Sequence, residues 1–261
     1  MMRNVACEKR IRQNCNKSFT LIELLVVVAI IGILASLLMP TLSKSRKKAR
    51  IAVCTSNQKQ INYALVMFTD DNDGYVPSPS AHVSWDDQLS GYDGRPTLTD
   101  AQKTPNNLPK SDFGDSYAQV YRCPLYEETA TATYVEMSYA ISQFKAPEPE
   151  TQWFSGQGIM NNSGYAAKLS NVTVPAESIM LFDYNRSSNT TRMGRNVDNI
   201  VRATDLEKWE TLQSDGMMHG FYEVNYLFVD GHVQGMDFYS TLIPYGATAW
   251  RSNGSMWDVY K

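Results

Sequence analysis

Three residues near the C-terminus, His219, Asp230 and His232, have types that suit chemistry, since two imidazoles and a carboxylate form a ligand set for a transition metal. Asp230 is followed by Gly231, however, a pair that favours a tight hairpin turn, so this carboxylate also has a purely structural use. A second cluster, Asp70-Asp71-Asn72-Asp73, has the oxygen-rich composition of a calcium loop, with Asp71 and Asp73 as candidate ligands. No Glu follows it at EF-hand spacing, and helix termination explains the same residues. Of the four cysteines, Cys7 and Cys15 lie in a basic N-terminal segment, while Cys54 and Cys123 stand farther along the chain. Cys54 and Cys123 fit either one disulfide or two buried free thiols, because sequence does not give their separation. The absence of CxxC argues against a zinc ribbon or a thioredoxin-type redox pair. No phosphate loop, GxSxG, HExxH or GxGxxG occurs, so the expectation is a protein that is not an enzyme and uses no cofactor, with calcium the one candidate exception.

The elements that must position these groups begin with residues 19–39, FTLIELLVVVAIIGILASLLM, whose only polar members are Thr20, Glu23 and Ser36. At about 1.5 Å per residue this run spans roughly 30 Å as a helix, the thickness of bilayer hydrocarbon. It is longer than the apolar core of an ordinary secretory signal and lacks a small-residue cleavage site after it. Residues 1–18 carry Arg3, Lys9, Arg10, Arg12 and Lys17 against Glu8, which favours a cytoplasmic leader. Five cations between Lys44 and Arg50 follow the span, so charge alone does not set its orientation. The whole chain has 24 Lys and Arg against 27 Asp and Glu, which gives no bulk attraction to nucleic acid. Glu23 is costly in lipid, by about 2.5 to 3.5 kcal/mol, unless it finds a partner.

The run Lys17-Ser18-Phe19-Thr20-Leu21-Ile22-Glu23-Leu24-Leu25 resembles the prepilin-type cleavage and methylation motif of type IV pilins and type II secretion pseudopilins. Ser18 stands where that family has Gly. The resemblance implies cleavage between Ser18 and Phe19 by a prepilin peptidase and methylation of the new amine. It also implies that Glu23 pairs with that amine during assembly and that Gly32 and Pro40 soften the helix. Arg50, Cys54, Asn57, Lys59, Gln60 and Ile61, then Asp71-Asn72-Asp73-Gly74 and Pro77, resemble the continuation in a pseudopilin-like subfamily that ends in a His followed by Asp-Gly-His. His219 and Asp230-Gly231-His232 match that ending.

Beyond Pro40 an apolar stripe at Ala49, Val53, Ile61, Ala64, Leu65 and Phe68 predicts that the helix continues to about Thr69, where the acids and Gly74 end it. Short apolar runs punctuated by Gly, Pro, Asn and Ser then predict strands at 134–143, 178–183, 224–229 and 232–238. Asp230-Gly231 predicts a two-residue type I′ turn between the last two. Segments 77–118 and 185–216 read as surface insertions.

The expected fold is α+β and pilin-like, with a long N-terminal transmembrane and assembly helix packed on an antiparallel β-rich head. Its parts are a leader at 1–18, a helix at 19–72 with 19–39 in the membrane, and a head at 73–261. The expected function is that of a structural subunit in a type IV pilus-like or type II secretion pseudopilus-like assembly. Its partners would be prepilin peptidase, other pilin-like subunits and the bacterial inner membrane, which the chain crosses once with its head outside the cytoplasm. Two rivals use the same residues differently: a membrane-anchored binding protein, and a metallohydrolase built on His219, Asp230 and His232.

Overall fold

The computed structural model describes residues 20–79, 83–103, 108–114, 117–126, 133–142, 158–160, 166–184, 200–201, 219, 224–242 and 255–259. Ser18, Phe19, most of 185–216 and the end of the first expected strand at Gln143 lie outside them. The chain groups into two compact units, Met1–Arg46 and Lys47–Lys261.

Helix α1 spans Leu21–Asp71. In the first unit its large apolar side chains are exposed at consecutive positions, Leu24 to Val28 among them, so the apolar surface runs around the whole helix instead of along one face. By length and composition α1 can cross a membrane. The helix runs through Gly32 and Pro40, the two positions expected to soften it. Pro40 removes one N–H, and the flanking turns carry the helix past it. Ser36 Oγ and Thr41 Oγ1 each donate to a carbonyl three residues back, at 2.8 Å.

In the second unit the buried face of α1 is Cys54, Asn57, Gln58, Ile61, Asn62, Ala64, Leu65 and Thr69. Ile61, Ala64 and Leu65 fall on the stripe read from the sequence, but Ala49 and Val53 are exposed. The stripe shifts because Asn57, Gln58 and Asn62 turn inward, as polar residues that apolar periodicity does not detect. Helix α1 stops where the acids and Gly74 predict. Gly74 takes φ +82° and donates its N–H to the Thr69 carbonyl at 2.8 Å, and Asn72 Nδ2 donates to the Phe68 carbonyl at 2.7 Å.

Three short helices follow, α2 (Trp85–Gln88), α3 (Asp100–Lys103) and α4 (Lys110–Phe113). They lie in the segment read as a surface insertion, yet Trp85, Leu89, Leu98 and Leu108 of that segment, with Tyr121 just after it, are all buried in the core beside α1. Arg95 is buried with them, paired to Asp93 at 2.5 Å and placed over the Tyr121 ring at 4.7 Å. A guanidinium held by a carboxylate and an aromatic face lets this polar stretch turn inward.

The sheet has five strands, β1 (Tyr139–Ser142), β2 (Ile179–Asp183), β3 (Ile200–Val201), β4 (Val224–Phe228) and β5 (Val233–Met236), in the order β3-β1-β2-β4-β5. Four strands are antiparallel neighbours, as expected, and short β3 adds parallel to β1. Strands β1, β2 and β4 are buried throughout, because the sheet is covered on both faces. Tyr139, Ile141, Leu181 and Leu227 join the core that includes Ile61 and Leu65 of α1. Their alternates Ala140, Phe182, Tyr226 and Phe228 pack on the opposite face against Phe238, Leu242 and Trp257. The structure is thus α+β and pilin-like, with its sheet between α1 and a C-terminal cover.

Candidate functional site

At the start of α1, Thr20 and Glu23 satisfy each other. Glu23 Oε2 accepts from Thr20 N–H at 2.9 Å and from Thr20 Oγ1 at 2.8 Å, and Glu23 N–H donates to Thr20 Oγ1 at 3.2 Å. This is a capping box, which uses two helix-end donors and holds the carboxylate at the first turn. The Thr-x-x-Glu spacing in the sequence was signal enough to find it.

The expected trio of His219, Asp230 and His232 does not assemble. Asp230 and His232 pair with each other at the tip of the β4–β5 hairpin, half-exposed, with His232 Nδ1 2.6 Å from Asp230 Oδ1. Asp230 also accepts the His232 backbone N–H at 3.1 Å, and the His232 ring stacks on Phe228 at 4.3 Å. The turn is not type I′ either. Gly231 has φ +90° whereas Asp230 does not take positive φ, and Gly231 N–H donates to the Phe228 carbonyl at 2.9 Å. A three-residue loop with glycine in the left-handed position closes the hairpin, and it leaves Asp230 free to cap His232. The same approach seats Gly231 against α1, where an added Cβ would lie 2.7 Å from Asn62 Nδ2.

His219 sits elsewhere, buried within the head. Its Nδ1 is 3.1 Å from Asp183 Oδ2 and its Nε2 is 3.2 Å from Cys123 Sγ. Cys123 is bonded to Cys54, with the two Cα atoms 4.9 Å apart, so of the two readings of these cysteines the disulfide holds here. Four elements therefore converge: α1 supplies Cys54, the loop before β1 supplies Cys123, the end of β2 supplies Asp183, and His219 precedes β4. Asp183 is held in turn. Its Oδ2 accepts from Asn225 N–H at 3.1 Å, and its Oδ1 accepts from Gln58 Nε2 at 3.3 Å. Gln58 Nε2 also donates to the Asn225 carbonyl at 3.2 Å. Burial pushes the Asp183 carboxyl up to about 8, opposed by the Asn225 and Gln58 donors.

Among the described residues this is the one cluster of three or more His, Cys, Asp and Glu able to hold a metal, with ligand atoms all within 4.8 Å of one another. Asp71, Asp73, Asp230 and His232 do not belong to it. Asp71 instead accepts from Tyr92 OH at 3.0 Å, and Asp73 serves the turn after α1 with φ +53°. A recess of about 450 Å³, lined by Val53, Asn57, Gln119, Arg122 and Tyr126 among others, reaches Cys123 from outside. Sequence reading found Cys54, Cys123 and His219 but missed Asp183, Gln58 and Asn225. Asp183 looked only like the end of a strand, and the nearest sequence partner for His219 was Asp230.

A family model described as "Prokaryotic N-terminal methylation motif" matches residues 13–39. The chain is 43% identical over 68 residues to the type IV wide pilus major component PilA4 of Thermus thermophilus, covering 26% of this chain and 52% of that protein. It is 33% identical over 97 residues to type II secretion system core protein G of Pectobacterium carotovorum, covering 37% of this chain and 56% of that one. To the core protein G of Pseudomonas aeruginosa it is 34% identical over 101 residues, covering 38% of this chain and 69% of that one. The chain thus spans about half the length of the first two of these relatives. No solved structure matches it.

Proposed function

The chain belongs to the family that contains type II secretion system core protein G and the type IV pilins, and on that premise we propose that it is a structural subunit of a pilus-like or pseudopilus-like assembly, not an enzyme. The observation that carries this reading is the first half of α1, where apolar side chains are exposed on every side. Such a helix is stable only in lipid or among copies of itself. In this reading a prepilin peptidase cuts before Phe19, the helix anchors the chain once in the bacterial inner membrane, and the head lies outside the cytoplasm. Other pilin-like subunits then replace lipid around the helix. Glu23 offers its carboxylate to the methylated amine of Phe19, within one chain or between neighbours. The Thr20 capping box supports that role, because it presents the carboxylate at the end of the helix next to where the amine forms.

Mass spectrometry of the mature protein tests processing. It should find a chain starting at methylated Phe19, and an intact Met1 would sink the claim. Glu23→Ala tests assembly: the variant inserts into membrane but is absent from sheared fibres or cross-linked oligomers. A parent chain that is itself absent from fibres, with head function unchanged in Glu23→Ala, would leave the second reading, an anchored binding protein. The recess beside Cys123 is the observation in favour of that reading.

A further inference from the structure

We propose that the dithiol form of this chain binds one zinc-class divalent ion through Cys54 Sγ, Cys123 Sγ and His219 Nε2, with Asp183 orienting the imidazole and a fourth position open toward the recess. Three observations support the site. The first is the direction of His219. Its Nδ1 lies 3.1 Å from Asp183 Oδ2, and so is the nitrogen placed to carry the proton and donate to the ionised carboxylate. With the proton on Nδ1, Nε2 turns its lone pair toward Cys123 Sγ from 3.2 Å. Against a disulfide that contact joins two acceptors and gains little. Against two thiolates it is the arrangement that a soft or borderline cation completes, with imidazole and sulfur converging on one point.

The second observation is the support behind the ligands. A metal-bound His usually donates its other N–H to a carboxylate, which fixes the ring and strengthens the donor nitrogen. Asp183 is that carboxylate here, and it accepts from buried Gln58 and from the backbone N–H of Asn225. The third is proximity to the surface, since the recess is lined in part by Cys123 and so approaches one of the three ligands from outside.

Binding balances without a reductant, because the chain is made with both cysteines as thiols. Each thiol loses its proton to solvent as the ion binds, so two protons leave per ion. Disulfide formation competes for the same two sulfurs. An external disulfide would take up the two electrons and two protons, become a dithiol, and leave the cystine seen here with no thiolate to bind metal.

The test uses the full chain in detergent micelles with Cys7→Ser and Cys15→Ser, so that Cys54 and Cys123 are the only thiols. After reduction with a phosphine under argon, cobalt(II) is titrated in as a spectroscopic substitute for zinc. One cobalt per chain should give thiolate charge-transfer bands and the intense visible bands of a tetrahedral site, and one equivalent of zinc should abolish them. The oxidised chain should give neither. His219→Ala should weaken binding at least about 100-fold and Asp183→Asn about 10- to 100-fold, the latter keeping the tetrahedral spectrum. Tryptophan fluorescence checks that each variant is folded. If a variant unfolds, zinc protection of the two thiols against alkylation in the reduced parent chain decides instead. Reduced chain without tetrahedral bands, bands unchanged in folded His219→Ala, or thiols that zinc leaves unprotected would each overturn the site.

Discussion

Replacing both cysteines, Cys54→Ala with Cys123→Ala, measures how far the covalent link and not the surrounding core holds the head together. The bridge closes a loop of 69 residues between α1 and the segment before β1. Loop-closure entropy in the unfolded chain then gives about 4 kcal/mol of stabilisation at 25 °C. With a urea m-value of about 3 kcal/mol/M for a head of this size, the unfolding midpoint should fall by about 1.3 M. Tryptophan fluorescence in micelles is the suitable probe, because Trp85 and Trp257 are buried on opposite sides of the sheet. Far-UV dichroism would be dominated by the micelle-embedded part of α1, which urea leaves intact. Parent chain reduced in the presence of a chelator should unfold close to the double variant. A loss below about 1 kcal/mol, or a reduced chain as stable as the oxidised one, would refute the reasoning. It would mean that the unfolded chain already keeps the two segments together.

Gly231→Ala forces a side chain into positive φ and against Asn62, so it should cost on the order of 2 kcal/mol in urea unfolding; combining it with Asn62→Ala should recover part of the loss. Trp257→Ala should cost about 3 to 5 kcal/mol by the same measurement, since Trp257 packs on Phe182 at 5.0 Å and its Nε1 donates to Thr241 Oγ1 at 2.8 Å; a loss under about 1 kcal/mol would show that the C-terminal cover is not part of the core. Burial, then the neighbouring Asp86, pushes the Asp87 carboxyl up to about 8, above its unfolded value. The folded state therefore holds a proton that the unfolded state gives up. That contribution is full below about pH 4 and is lost as pH rises toward 8, so the Tm of the parent should fall across this window and that of Asp87→Asn should fall less. A parent Tm that rises from pH 5 to pH 8 would contradict the assignment.

Elements set by local pattern were legible in the sequence. The ends of α1, the glycine turn at Gly74 and strands β2, β4 and β5 come from apolar runs and turn residues that act over a few positions. What escaped was set by distance along the chain. The inward turn of Asn57 and Gln58, the burial of Trp85 and Leu98, and the pairing of His219 with Asp183 depend on partners brought together only by the fold. His219 shows the difference most clearly. Its residue type and its place in the ending with Asp230-Gly231-His232 suggested a shared site, yet Asp230 is used at the hairpin tip and His219 reaches a strand-end acid beside the disulfide. The Thr20–Glu23 box is local and legible from its Thr-x-x-Glu spacing alone.

The hydrogen bonds of Gln58 join residues 125 and 167 positions apart, to Asp183 and to the Asn225 carbonyl. At a synthesis rate of about 5 to 20 residues per second, roughly 8 to 33 s pass between the making of Gln58 and of the strand that receives it. During that interval the inner face of α1, with Ile61 and Leu65, has no sheet to cover it. This part of α1 thus leaves the ribosome long before the head can close, and its apolar face stays open to aggregation in that interval.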